Sequence, residues 1–138
     1  MPPFRILEHT ADIGFEAFGA SREEVFANAA RALVFLMFEP GTIMARQELA
    51  VEVEGPDAAS LLVNWLSEIL FQVDAEGWVF ADFALHELTE QRLRAKALGE
   101  PLDPSRHQAK LQVKAITYHQ LSLEQIPDGW RAQVYVDI

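Results

Sequence analysis

The chain has 138 residues, with 11 Lys+Arg against 21 Asp+Glu and a formal charge of −10. For its 15.5 kDa, size scaling gives roughly 7,200 Å² of folded surface against about 22,500 Å² unfolded, enough burial for one domain over residues 1–138. Half the residues are apolar and cysteine is absent, which excludes a disulfide scaffold, a thiolate metal site and cysteine chemistry. The acidity argues against tight non-specific binding to phosphate backbones, a term carried by Lys and Arg.

Phe4 to Leu7 reads as a strand, followed by the polar turn Glu8-His9-Thr10-Ala11-Asp12. Ile13 to Gly19 alternates, with Ile13, Phe15 and Ala17 on one side. Ser21-Arg22-Glu23-Glu24 is a capping box that opens a helix. Val25, Phe26, Ala29, Ala30, Leu33 and Met37 follow at helical spacing, and Pro40-Gly41 ends it. Leu49, Val51 and Val53 mark a half-buried strand. A second helix starts near Asp57, carries the stripe Leu61, Leu62, Trp65, Leu66, Ile69, Leu70 and Val73, and closes at Gly77. Further strands are expected from Val79, Ala81, Phe83 and Leu85, from Leu93, Ala95 and Ala97, and from Leu111, Val113 and Ala115 toward Thr117. A last pair, Leu121 to Glu124 and Arg131 to Asp137, turns at Pro127-Asp128-Gly129. Two amphipathic helices and about seven or eight strands, in runs rather than βαβ alternation, predict an α+β domain with a largely antiparallel or mixed sheet.

No P-loop, GxGxxG, GxSxG or HExxH occurs, so standard nucleotide cradles and serine or zinc-protease chemistry have no support. MPPFRILEHT lacks the apolar run of a signal peptide. No stretch reaches the ~20 apolar residues of a membrane span, and the expected location is cytoplasmic. Four places stand out. Glu8 to Gly14 packs two carboxylates, an imidazole and a hydroxyl into a strand-end loop, where ligands commonly sit. Lys114-Ala115-Ile116-Thr117-Tyr118-His119, if extended, sets Lys114, Ile116 and Tyr118 on one face and Thr117 and His119 on the other. Tyr135-Val136-Asp137-Ile138 ends on two neighbouring carboxylates that repel unless a cation or base lies between them. Arg92, Arg94 and Lys96 form a cationic strand face, read either as a solvated edge or as a contact for RNA or an acidic partner. His86 and His107 read as isolated.

Together, Glu8-His9-Thr10-Ala11-Asp12-Ile13-Gly14, the Lys114 to His119 motif and the terminal Asp137-Ile138 resemble the archease family. Gly19-Ala20-Ser21, Leu61 to Leu66 and Gly99-Glu100-Pro101-Leu102-Asp103 agree, so the resemblance spans the chain. It implies a small α+β activator of a tRNA-splicing RNA ligase of the RtcB type. Such a ligase joins a 3′-phosphate RNA end to a 5′-hydroxyl with GTP and manganese. The activator promotes guanylylation and multiple turnover. The resemblance also implies a divalent cation, Ca²⁺ in the bound form with Mg²⁺ or Mn²⁺ as alternatives, held by Asp12, Asp137 and Ile138. His9 and Lys114 would lie around the pocket, and His119 is a further candidate for a pocket or partner contact. An oxygen-only cluster suits such hard cations. The rival expectation is a small metal-dependent phosphodiesterase or hydrolase with His119 or His9 as general base. A general RNA-binding or chaperone module is a third reading, disfavoured by the acidity.

Overall fold

Both helices begin where side chains can cap free N–H groups. Ser21 Oγ accepts from Glu24 N–H at 3.1 Å, and Asp57 Oδ1 accepts from Ser60 N–H at 2.8 Å. Each cap is worth about 1 kcal/mol. The computed structural model describes residues 2–8 and 12–138. Its elements run β1 (Phe4–Glu8), β2 (Asp12–Gly19), α1 (Arg22–Met37), β3 (Gln47–Glu54), α2 (Ala58–Asp74), β4 (Trp78–Leu88), β5 (Arg92–Pro101), β6 (Ala115–Ile116), β7 (Ser122–Ile126) and β8 (Gly129–Asp137). This is the expected α+β class with two helices and eight strands.

The strands form two antiparallel sheets rather than one. In the larger, β1, β2 and β8 lie side by side, and the far edge of β8 is shared by β7 and β6. The smaller has the order β3-β5-β4. Each helix packs on strands of both sheets: α1 on β1, β2 and β8 and on β4, and α2 on β3, β4 and β5 and on β6 and β7. That explains why α1 is buried nearly all round, with Ala27, Asn28, Ala32 and Leu36 joining the apolar stripe. The core centres on Trp65, which is fully buried and donates from Nε1 to Phe26 O at 3.0 Å. Truncating it to alanine should cost about 3–5 kcal/mol.

Two elements differ from the sequence reading. In β4 the simple alternation fails because bulges fall between Phe80 and Asp82 and between Leu85 and Glu87. Ala81 becomes exposed while Val79, Phe80 and Phe83 stay buried. A bulge leaves one residue unpaired and shifts the pattern by one position. The strand expected from Leu111 is only Ala115–Ile116. The preceding residues run instead along the end of α1, where Lys110 N–H donates to Met37 O and Leu111 N–H to Leu36 O.

Candidate acidic tip and its surroundings

Residues of β2 and β8 that pair directly put their side chains on the same face of the sheet. On the inner face are Ile13, Phe15 and Ala17 with Val136, Val134 and Ala132. On the outer face are Asp12 opposite Asp137, Gly14 opposite Tyr135, and Glu16 opposite Gln133. The expected meeting of the first motif with the chain end is thus made by β2, whose first residue is Asp12. Directly opposed like charges destabilise a strand pair, and the register sets Asp12 opposite Asp137 at this end of the sheet. Asp137 and Ile138 are exposed and Asp12 is half-buried. His9 lies outside the described residues, as do Thr10 and Ala11.

The other edge of β8 brings the late motif alongside. Ala115 pairs with Asp137 and Ile116 with Val136. Lys114 N–H donates to Asp137 O at 2.8 Å, and Thr117 donates to Tyr135 O from its N–H at 3.0 Å and from its Oγ1 at 2.9 Å. Lys114 was expected in a strand suited to burial; it is exposed. Ile116 packs against the core, whereas Tyr118 is 60% exposed. The amine of Lys114 makes no ion pair with a described residue. That is unusual here. Arg5, Arg31, Arg46, Arg92, Arg94, Lys96, Arg106 and Arg131 all do. Arg22 and Lys110 lie over the rings of Trp130 and Phe35.

Tyr135 is the wall of the tip. Its ring covers Gly14, where an added Cβ would come within 2.7 Å of Tyr135 Cε1. His119 meets it edge-on, with ring centroids 5.5 Å apart. Glycine is therefore required at position 14 by a close approach, and it leaves Tyr135 only 7% exposed on an otherwise outer face. One strand step further, Glu16 is buried between Arg5 and Arg131, and Arg131 also reaches Glu124 at 3.2 Å. Burial raises the Glu16 pKa, but the hydrogen bonds from the two guanidinium groups outweigh it and hold the carboxyl below the usual range.

The cationic face of β5 is balanced in place. Arg92 lies 3.2 Å from Glu52, Arg94 lies 3.7 Å from Glu52 and 3.8 Å from Glu87, and Lys96 lies 3.2 Å from Glu48. This ladder over β3, β5 and β4 offers little net positive charge to RNA. His86 is exposed beside the second bulge of β4. His107, read as isolated, is 3% exposed and hydrogen-bonded to the buried Glu100. A buried Glu and His seven residues apart give no periodic sign in the sequence, because the loop between them does the joining. An apolar hollow of about 390 Å³, lined by Phe4, Phe35, Phe38, Phe80 and Phe83, lies elsewhere; none of the tip residues reaches it.

Among the described residues no three His, Asp or Glu side chains form a ready metal cage. The two opposed aspartates are nevertheless the right donors for a hard cation, which takes carboxylate and carbonyl oxygens. Among the described residues no helix is long and apolar enough to cross a membrane.

These features define a small two-sheet α+β protein with an acidic tip flanked by Lys114, whose amine pairs with no described residue. The model of the Archease protein family matches residues 4–138, and the chain belongs to that family. A relative from Pyrococcus abyssi, Protein archease, is 48% identical over 135 residues, covering 95% of each chain. One from Methanosarcina acetivorans is 42% identical over 139 residues, covering 98% of this chain and 95% of its own. The solution structure of Methanobacterium thermoautotrophicum protein 1598 superposes with a TM-score of 0.86 at 34% identity over the whole of both chains. An archease from Thermotoga maritima, described as a possible chaperone, shares the fold with a TM-score of 0.64 at 22% identity, over 96% of this chain and 94% of its own.

Proposed function

We propose that this protein is an accessory activator of a GTP- and manganese-dependent tRNA-splicing RNA ligase and acts through a divalent-cation site at its acidic tip. The observation that supports this best is the strand register that sets Asp12 opposite Asp137. Asp12 and Asp137 are the proposed ligands, with the carboxylate at Ile138 as a third. Calcium, magnesium or manganese suits such a donor set. His9 and Lys114 are proposed pocket residues. Lys114 has its backbone fixed on Asp137 and its amine available to a carboxylate or phosphate of the partner. His119 and Tyr135 form the wall. The −10 charge complements a partner that carries RNA and metal in a basic cleft.

The activator reading separates from a metal-dependent phosphodiesterase, with His119 or His9 as general base, in one assay. The purified protein alone, supplied in turn with calcium, magnesium and manganese, is expected to turn over neither phosphodiester nor nucleotide. Turnover above background that disappears in His119→Ala would replace the activator reading with the hydrolase.

A further inference from the structure

The stretch Gly99-Glu100-Pro101-Leu102-Asp103 carries part of the family resemblance, yet none of it lies at the acidic tip. It ends β5 and begins the connection of residues 102–114 to β6. A connection of that length without regular structure is uncommon in a small domain and is often functional. Only His107 and Val113 are buried within it. His107 is therefore one of two anchors, and a polar one.

Its hydrogen bonds fix the ring completely. His107 Nδ1 accepts the Asp103 N–H at 2.9 Å, which leaves the ring proton on Nε2. Nε2 donates to Glu100 Oε2 at 2.9 Å. The same carboxylate accepts from Met44 N–H at 2.8 Å and from Arg106 Nη2 at 2.6 Å, with Arg46 Nε 3.7 Å away. The Met44 N–H, then His107 and Arg106, draw the Glu100 pKa down to about 2 against the opposing effect of burial. One buried carboxylate thus joins three segments: the loop before β3, the end of β5 and the 102–114 connection. Beyond His107 the connection is laid along the end of α1, with Glu39 N–H on Gln108 O at 2.9 Å and Lys110 N–H on Met37 O at 2.8 Å. It then delivers Lys114 N–H to Asp137 O.

We propose that Glu100 and His107 form a positioning clamp that sets the path of residues 102–114 and so places Lys114 beside Asp137. The importance of Lys114 rests on the activator reading above; the clamp itself does not. Glu100→Gln keeps the shape and removes the charge. Hydrogen exchange on the protein alone is expected to show the amides of Lys110, Leu111 and Lys114 exchanging at least about tenfold faster (~1.4 kcal/mol of local opening). The amides between β2 and β8 should keep their wild-type protection. If Glu100→Gln does not fold, His107→Phe, which fills the site without its hydrogen bonds, decides in the same way. Wild-type exchange at Lys114 in a folded variant overturns the clamp. In ligase activation, the loss caused by Glu100→Gln should vanish in a Lys114→Met background, since both act through one residue. Independent, additive losses overturn the route through Lys114. A Lys114→Met that activates fully overturns the activator role of that lysine and leaves the exchange result standing.

Discussion

Replacing Asp137 with asparagine removes one of two carboxylates that face each other at the end of the large sheet. The two residues are direct partners across β2 and β8, which puts their Cβ atoms about 5 Å apart. Two unit charges at that distance repel by about 0.8 kcal/mol in bulk water and about 3 kcal/mol at an effective dielectric of 20. Asp137 is exposed, so the lower figure applies. In chelator-treated, low-salt buffer Asp137→Asn is therefore expected to be more stable than wild type by ~0.5–1 kcal/mol. For a chain of this length that is a rise in Tm of roughly 2–4 °C. Calcium should reverse the order. A cation at about 100 times its Kd adds about 2.7 kcal/mol to a protein that binds it only when folded, and the variant should gain little. Thermal unfolding of both proteins, in chelator and in a calcium series, reads both signs. Near 1 M salt the metal-free gain should shrink, because the screening length falls to roughly 3 Å. A wild type more stable than the variant in chelator, or equal gains with calcium, refutes the reasoning.

Lys114→Met should keep the wild-type Tm within about 2 °C, as exposed substitutions do, and cut ligase activation more than about tenfold, or ~1.4 kcal/mol. Gly14→Ala drives a Cβ to within 2.7 Å of the Tyr135 ring; chemical denaturation should show a loss of about 1–3 kcal/mol, and calcium affinity should fall as the tip is distorted. Glu100 has a folded pKa of about 2 against an ordinary 4.5, so its stabilisation is complete above about pH 4.5 and lost as pH falls toward 2. The gap between the urea midpoints of wild type and Glu100→Gln should accordingly hold from pH 7 to about pH 4.5 and narrow below it; a gap at pH 3 as wide as at pH 7 would count against the assigned role of the carboxylate.

Periodic features were legible in the sequence. The stripe from Leu61 to Val73, the cap at Ser21 and the helix start near Asp57 depend only on local spacing, and α1, α2 and the β7–β8 hairpin fall where that spacing puts them. The division into two sheets was not legible, because it depends on which strand faces meet the helices. Nor were the bulges of β4, which interrupt alternation without a distinctive residue. At the tip, adjacency in sequence pointed to Asp137 with Ile138, and the resemblance added Asp12. The register that makes Asp12 and Asp137 partners comes only from the pairing of β2 with β8. His107 was misread for the opposite reason. Its partners are Glu100 and the Asp103 N–H, and a loop closed by its own hydrogen bonds leaves no pattern in the order of residues.

Activation through the acidic tip is measured most directly by counting ligation events per ligase. The host RNA ligase is mixed with RNA bearing 3′-phosphate and 5′-hydroxyl ends, GTP and Mn²⁺, with the wild-type protein, with Asp12→Ala, or with neither. Many turnovers per ligase are expected with wild type, and about one with Asp12→Ala or with no added protein. Equal turnover in all three mixtures, or full activation by a folded Asp12→Ala, would contradict the account.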